Sequence, residues 1–448
     1  MATPLQAVRH ARGWSQARVV WELTRLAGRK GVTVASGASL KTLLSRWENG
    51  HATPQYFYQD LLCSLYDATL RELGFGSQYL PSDNIHESDL GVSLITKRAW
   101  TRDDIAALSE TFDEALSHSA TADIELLAHE WLSADKPQLV ELNAGRHVSD
   151  SLVSTIEHRV TQLRRADDFM SGRTSHSLVQ QELTATTRLL SEGALTDDQA
   201  ARLFTATGEL AQLAAWVTAD AGLYREAARY VQGGVLAAHA ADNLPLAANI
   251  ISTFSYQLTN TGDPRRGALL ARTAYAGARH SATATTKALL LERVAWGDAK
   301  SGDLSSCRRS IGLVEENFSH ASPDDDPGWV YWLDGQEIDI MSGRCYTELR
   351  QPALAEPLLR DATANFDHSR IRENSLYLSW LAEVHLLLND VDQATAVATQ
   401  VLSMASRANS ARTDARLQHL AVLLRRYKDI RSVAEFLDEY RTPESGSA

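Results

Sequence analysis

The chain has 448 residues, 44% of them hydrophobic and 22% charged, ordinary proportions for a globular chain with room for about two to four domains. Its formal net charge of −12 argues at first against a nucleic-acid partner, but residues 1–51 hold eight Lys/Arg and only two acids, a local +6 that leaves −18 for the remainder. Cys63, Cys307 and Cys345 are too few and too scattered for a disulfide framework or a CxxC zinc site, and they fit a reducing, cytoplasmic setting. No leader peptide is read at the start, and no apolar run approaches the roughly 20 residues that cross a bilayer, so no membrane partner is expected.

In chain order, residues 1–76 read as a compact helical unit. Leu5, Val8, Val19, Val20 and Leu23 mark the apolar faces of two helices; Gly13 ends the first and Ser15 caps the second. A third helix is predicted from an N-cap at Ser39 to Gly50, and a fourth starts at Thr53 and Pro54, with Phe57, Leu61, Leu62 and Leu65 continuing the core. On the third helix Lys41, Thr42, Ser45 and Arg46 share one face, opposite Leu40, Leu43, Leu44 and Trp47. Such a polar face is either a solvated surface or one suited to base edges, with Arg or Lys directed at guanine and Ser or Thr at any base. Asn49 and the adjacent backbone N–H groups suit a phosphate.

Arg9, Ser15, Gln16 and the run Ser45, Arg46, Trp47, Glu48, Asn49, Gly50 followed by Pro54 resemble the phage-repressor type of helix-turn-helix, the XRE family. The resemblance covers about the first 75 residues. It implies a buried ion pair between Arg9 and Glu48, a DNA-backbone contact from Gln16, and a major-groove face of Lys41, Thr42, Ser45 and Arg46. The sequence departs from compact members by extra residues around 26–38. These are expected to lengthen the second helix and add a loop carrying Arg29 and Lys30, which either touch phosphate or are simply exposed.

Residues 77–147 read as a linker and connecting helices, and residues 148–442 as helix after helix. Gly222, Gly262 and Gly302 recur at 40-residue spacing in the turns AGLYREA, TGDPRRG and SGDLSSC; LRQPALA at Arg350 and LNDVDQA at Asn389 fit the same frame. After each turn comes a column of small residues (Ala227, Gly267, Cys307, Ala355, Ala394), which lets two helices approach closely. These columns resemble the tetratricopeptide (TPR) repeat, with Gly222, Tyr224 and Ala227 matching its turn. Helices near 148–167 and 174–192 read as a degenerate preceding unit, and 412–441 as a closing cap. The predicted fold class is all-α, an N-terminal helix-turn-helix domain followed by a TPR-like α-solenoid.

TPR-type arrays take ligands on the face made by each unit's first helix. Six residues before the turns stand Trp216, Tyr256 and Trp296, continued by Arg344 and Glu383. Glu209, Gln212, Asn249, Glu292, Asn260 and Lys300 fall in neighbouring columns of the same helices, and Trp329, Tyr331 and Trp332 enter nearby. These positions read either as packing between repeats or as a ligand groove. Asp324–Asp326 reads as an acidic loop, and Asp167 with Asp168 as a helix-end charge cluster. No P-loop, GxGxxG, HExxH or GxSxG is present, so no enzyme, cofactor or metal is expected.

The preferred expectation is a cytoplasmic, homodimeric transcriptional regulator. The head would bind a double-stranded DNA operator, while the array takes a peptide, a small-molecule effector or a protein partner that modulates that binding. The alternatives are a constitutive DNA-binding scaffold that recruits a protein through the repeats, and an enzyme with a DNA-targeting head.

Overall fold

A computed structural model of the chain describes residues 3–29, 34–49, 54, 58, 61–62, 65–66, 73, 90–114, 123–140, 142, 145–169, 172–364, 370–408 and 410–441. The described residues are helical apart from short connections and two parallel two-residue bridges, Ala99–Trp100 with Gln138–Leu139 and Arg146–His147 with Gly193–Ala194. The chain divides into two compact units, Met1–His86 and Glu87–Ala448. No described helix is long and apolar enough to cross a membrane.

In the first unit, α1 (Pro4–Ala11) is capped by the Thr3 hydroxyl, with Pro4 in the first turn where no N–H donor is needed. It closes at Gly13, whose φ of 65° lets the Trp14 N–H reach back to the Arg9 carbonyl at 3.1 Å. Helix α2 (Gln16–Arg29) extends into the extra sequence. Helix α3 (Gly37–Glu48) starts earlier than expected: Ser36, not Ser39, is its N-cap, and its hydroxyl accepts from the Ser39 N–H at 3.4 Å. Leu5, Val19, Leu23, Leu40, Leu44 and Trp47 form the core together with Leu61, Leu62 and Tyr66. Lys30, Gly50, Phe57 and Cys63 lie outside the described residues.

The second unit begins with α4 (Leu90–Ile95), α5 (Arg102–Glu114) and α6 (Ile124–Ser133), followed by α7 (Asp150–Asp167) and α8 (Gly172–Glu192). Five helix pairs come next: α9 (Asp197–Asp220) with α10 (Tyr224–Ala240), α11 (Leu244–Thr261) with α12 (Pro264–Ala278), α13 (Ala284–Lys300) with α14 (Leu304–Phe318), α15 (Gly335–Glu348) with α16 (Pro352–Ala364), and α17 (Ile371–Leu387) with α18 (Val391–Ala408). Helices α19 (Ala411–Leu424) and α20 (Arg431–Arg441) close the unit. Each first helix packs on its own second helix and on the first helix of the next pair. Helices α4 to α6 pack against α8, α10 and α12.

The turns inside four of these pairs share one closure. At Gly222, Gly302, Arg350 and Asn389 φ is positive (83°, 78°, 54° and 62°), and the next residue's N–H bonds the carbonyl five positions back, at Thr218, Asp298, Tyr346 and His385. This is the Schellman motif, which satisfies carbonyls that the helix end leaves orphaned. Gly262 differs: its φ is −128°, and Asp263 caps the next helix, which opens on Pro264. After the turns, Ala227, Cys307, Ala355 and Ala394 are fully buried, as are Val231, Ala271, Leu359 and Ala398 one helical turn on.

Candidate functional site

Two regions gather the residues singled out above, one in each unit. In the first unit α3 is two-sided. Leu40, Leu44 and Trp47 are buried, while Lys41, Thr42 and Arg46 are exposed and Ser45 is half-buried. Neither Lys41 nor Arg46 forms an ion pair among the described residues. Asn49 is exposed at the helix end, and its Nδ2 donates to the Ser45 carbonyl at 2.7 Å. The helix is fastened from below. Glu48 is fully buried and accepts from Arg9 Nε at 2.6 Å, Arg9 Nη2 at 2.9 Å and Gln16 Nε2 at 2.8 Å. The Glu48 hydrogen bond raises the pKa of Arg9 despite its burial. The side-chain amide of Gln16 thus belongs to this buried cluster.

In the second unit the first helices of the pairs, with α7 and α19, enclose two adjoining cavities of about 360 and 560 Å³ that share Trp216, Tyr256, Arg344, Leu376 and Arg412. The column six residues before each turn lies on this wall in full: Trp216, Tyr256, Trp296, Arg344 and Glu383. The rings stack in sequence. Trp216 and Tyr256 have centroids 6.0 Å apart, Tyr256 and Trp296 6.4 Å, and Trp296 meets Trp380 edge-on at 5.6 Å. Gln212, Asn249, Asn260 and Lys300 also line the cavity.

Glu209 and Glu292 do not line it. Glu209 holds Arg164 from the side, its carbonyl accepting at 3.1 Å. Glu292 is buried with no hydrogen-bond partner on either carboxyl oxygen among the described residues, and burial pushes its pKa well up against the pull of Arg293. Ser252, Ile340 and Ser379, at the same offset before their turns as Glu292, are buried with it.

Guanidinium groups alternate with the rings. Arg412 lies 4.7 Å from the Trp216 ring centre, Arg293 4.8 Å from that of Tyr256, Arg344 4.8 Å from that of Trp296, and Arg416 3.5 Å from that of Trp380. Burial alone would raise the Tyr256 phenol, but Arg344, Arg412 and Arg293 outweigh it and bring it down to about 8. Burial also raises the Glu337 carboxyl, to about 7; the Tyr377 hydroxyl, donating at 2.6 Å, and the nearby Arg344 and Arg293 hold it back from rising further. At the other end Glu383 is drawn down to about 2, its burial overcome by His419 and Arg416. Asp167 and Asp168, read from sequence as a helix-end charge cluster, border the cavity, and Asp167 is a buried partner of Arg372 at 3.2 Å.

Sequence reasoning missed Arg293, Arg372, Arg412, Arg416 and Trp380. Arg293 sits one residue beyond a marked column. Arg412 and Arg416 lie on α19, which has no turn in the repeat frame to count from. No protein-family model matches the chain, and no curated protein does.

Proposed function

We propose that the chain is a cytoplasmic, sequence-specific DNA-binding transcriptional regulator. In this reading the first unit is an XRE-type helix-turn-helix domain and the second a TPR-like array. The array's inner cavity takes a peptide or small-molecule signal that modulates operator binding, and the protein acts as a homodimer on two half-sites. The observation that carries the reading is the α3 face: Lys41, Thr42, Ser45 and Arg46 stand outward, with no ion-pair partner for either cation among the described residues, on a helix pinned by the buried Arg9–Glu48 pair and Gln16. Two free cations beside two hydroxyls on one rigid face can meet guanine edges and neighbouring bases in a major groove. The cavity favours signal binding over constitutive recruitment of a partner protein. Its aromatic and charged groups are turned inward around a recessed space open on one side, a shape that suits a small ligand.

The test is selection of bound fragments from genomic DNA, then footprinting and titration. A dimeric reader protects two symmetric half-sites about one helical turn apart. The double variant K41A/R46A is expected to lose about 100-fold in affinity for the selected site, each base contact contributing about 1–3 kcal/mol, with unchanged folding because both side chains are exposed. Unchanged affinity in that variant rejects the assignment of α3.

A further inference from the structure

The cavity's buried cations fall into two classes. Arg412 meets Asp220 at 2.6 Å, Arg416 meets Glu383 at 2.6 Å and Arg372 meets Asp167 at 3.2 Å. Arg293 and Arg344 meet no carboxylate within ion-pair distance among the described residues. Both border the cavity, both are more than nine-tenths buried (8% and 4% exposed), and the Nε of each has no hydrogen-bond partner. The polar contacts of Arg344 are neutral: the Tyr256 hydroxyl at 2.8 Å and the Met341 sulfur at 2.9 Å. A buried guanidinium without a counter-charge is costly, and stacking on rings returns only part of that cost. Here two such groups flank a single phenol.

We propose that Arg293, Arg344 and the Tyr256 hydroxyl form the anion-binding end of the cavity, for a ligand whose carboxylate they hold and whose flat apolar body stacks on the adjoining tryptophans. This rests on the reading of the cavity as an effector site. A planar guanidinium fork matches a carboxylate with two parallel N–H donors, and the phenol adds an O–H donor. Trp216 and Trp332 line the same cavity and supply faces for a flat group, with Leu376 as an aliphatic contact. Asp334 lies on the same wall, so a second negative charge on the ligand would be repelled. That selects a singly charged carboxylate over a phosphate dianion. The carboxylate belongs either to a free aryl acid or to the carboxy terminus of a peptide; the chemistry held is the same.

The full chain is titrated with naphthylacetate, its neutral isostere naphthylacetamide, N-acetyltryptophan and phenyl phosphate, following tryptophan fluorescence and calorimetric heat. Naphthylacetate is expected to bind about tenfold or more tighter than the amide, the worth of one charged hydrogen-bonded contact. R344Q and R293Q should each abolish that preference. R293Q gives up no hydrogen bond seen among the described residues, so it decides the matter if R344Q, which loses the bonds to Tyr256 and Met341, fails to fold. Tighter binding of N-acetyltryptophan than of naphthylacetate supports a peptide carboxy terminus, and the reverse order supports a free acid. Equal binding of acid and amide, a preference that survives both substitutions, tighter binding of phenyl phosphate than of either carboxylate, or no binding of any of the four overturns the proposal. The same titrations run with the selected DNA separate this inference from the regulator reading. An arginine-dependent acid preference with no effect on DNA binding keeps the anion site and removes the regulator; ligand-responsive DNA binding without an acid preference does the opposite.

Discussion

Glu337 is a carboxyl whose environment sets its proton. It borders the cavity, accepts from Tyr377, and titrates at about 7 because burial disfavours its charge more than Arg344 and Arg293 favour it. In the unfolded chain it titrates near 4.3. Between those values the folded state holds a proton that the unfolded state has released, so this group's contribution to stability is fully present below about pH 4.3 and is lost as pH rises to about 7. At full linkage the shift corresponds to about 4 kcal/mol, and the open side of the cavity screens it to about 1–2 kcal/mol. E337Q keeps an acceptor for Tyr377 and has no proton to lose. It should match the wild type at pH near 4 and exceed it by about 1–2 kcal/mol near pH 8 in urea unfolding; parallel stability profiles across that range would remove the argument. The proton on Glu337 left no trace in the sequence, because it depends on Arg293 and Tyr377 converging from α13 and α17. Buried neighbours from other elements leave no mark in the local pattern, which also explains why Asp167 read as a helix-end cluster.

Helix packing in the second unit assigns opposite signs to the same substitution at two glycines. Gly297 lies in α13, where an added Cβ would stand 2.7 Å from the Cα and Cβ of Ala268 on α12. The neighbour is backbone and has nowhere to go, so overpacking of about 1–3 kcal/mol exceeds the helix-propensity gain of about 1 kcal/mol. Gly312 lies in α14, exposed, with open space around its position. G297A should therefore destabilise the protein by about 1–2 kcal/mol while G312A stabilises it by about 0.5–1 kcal/mol, a difference readable in denaturant midpoints. Equal effects of the two would mean that α12 and α13 adjust freely. The turns were legible because a Schellman closure needs a residue tolerant of positive φ at one position, and Gly or Asn supplied it at Gly222, Gly302 and Asn389. Arg350 was found only by spacing. The docking of α5 and α6 was not legible: the Phe112 and Trp131 rings occupy the places where Gly233 and Gly277 would carry a Cβ, and a glycine within a helix names no partner.

At the scale of the whole molecule, charge is divided as the chain is. Residues 1–86 hold nine basic and six acidic side chains, a net +3, which leaves −15 of the total −12 for residues 87–448. If the first unit holds DNA, the acidic remainder opposes it at long range, since phosphate repels carboxylate wherever screening is weak. The segment 1–86 alone should then bind random-sequence duplex DNA more tightly than the full chain at about 50 mM salt, and the gap should narrow at about 200 mM, where the Debye length falls below about 8 Å. K41A/R46A in the full chain should lower the slope of log affinity against log salt by about 1–2, because each cation that neutralises a phosphate releases about one counterion. These two measurements answer different questions. A reduced slope with no gap between segment and full chain would keep α3 as the DNA face and dismiss the acidic unit as a brake. A gap with an unchanged slope would keep the brake and move the phosphate contacts to other basic residues of the first unit, where Arg12, Arg18 and Arg25 are the remaining described cations with exposed side chains.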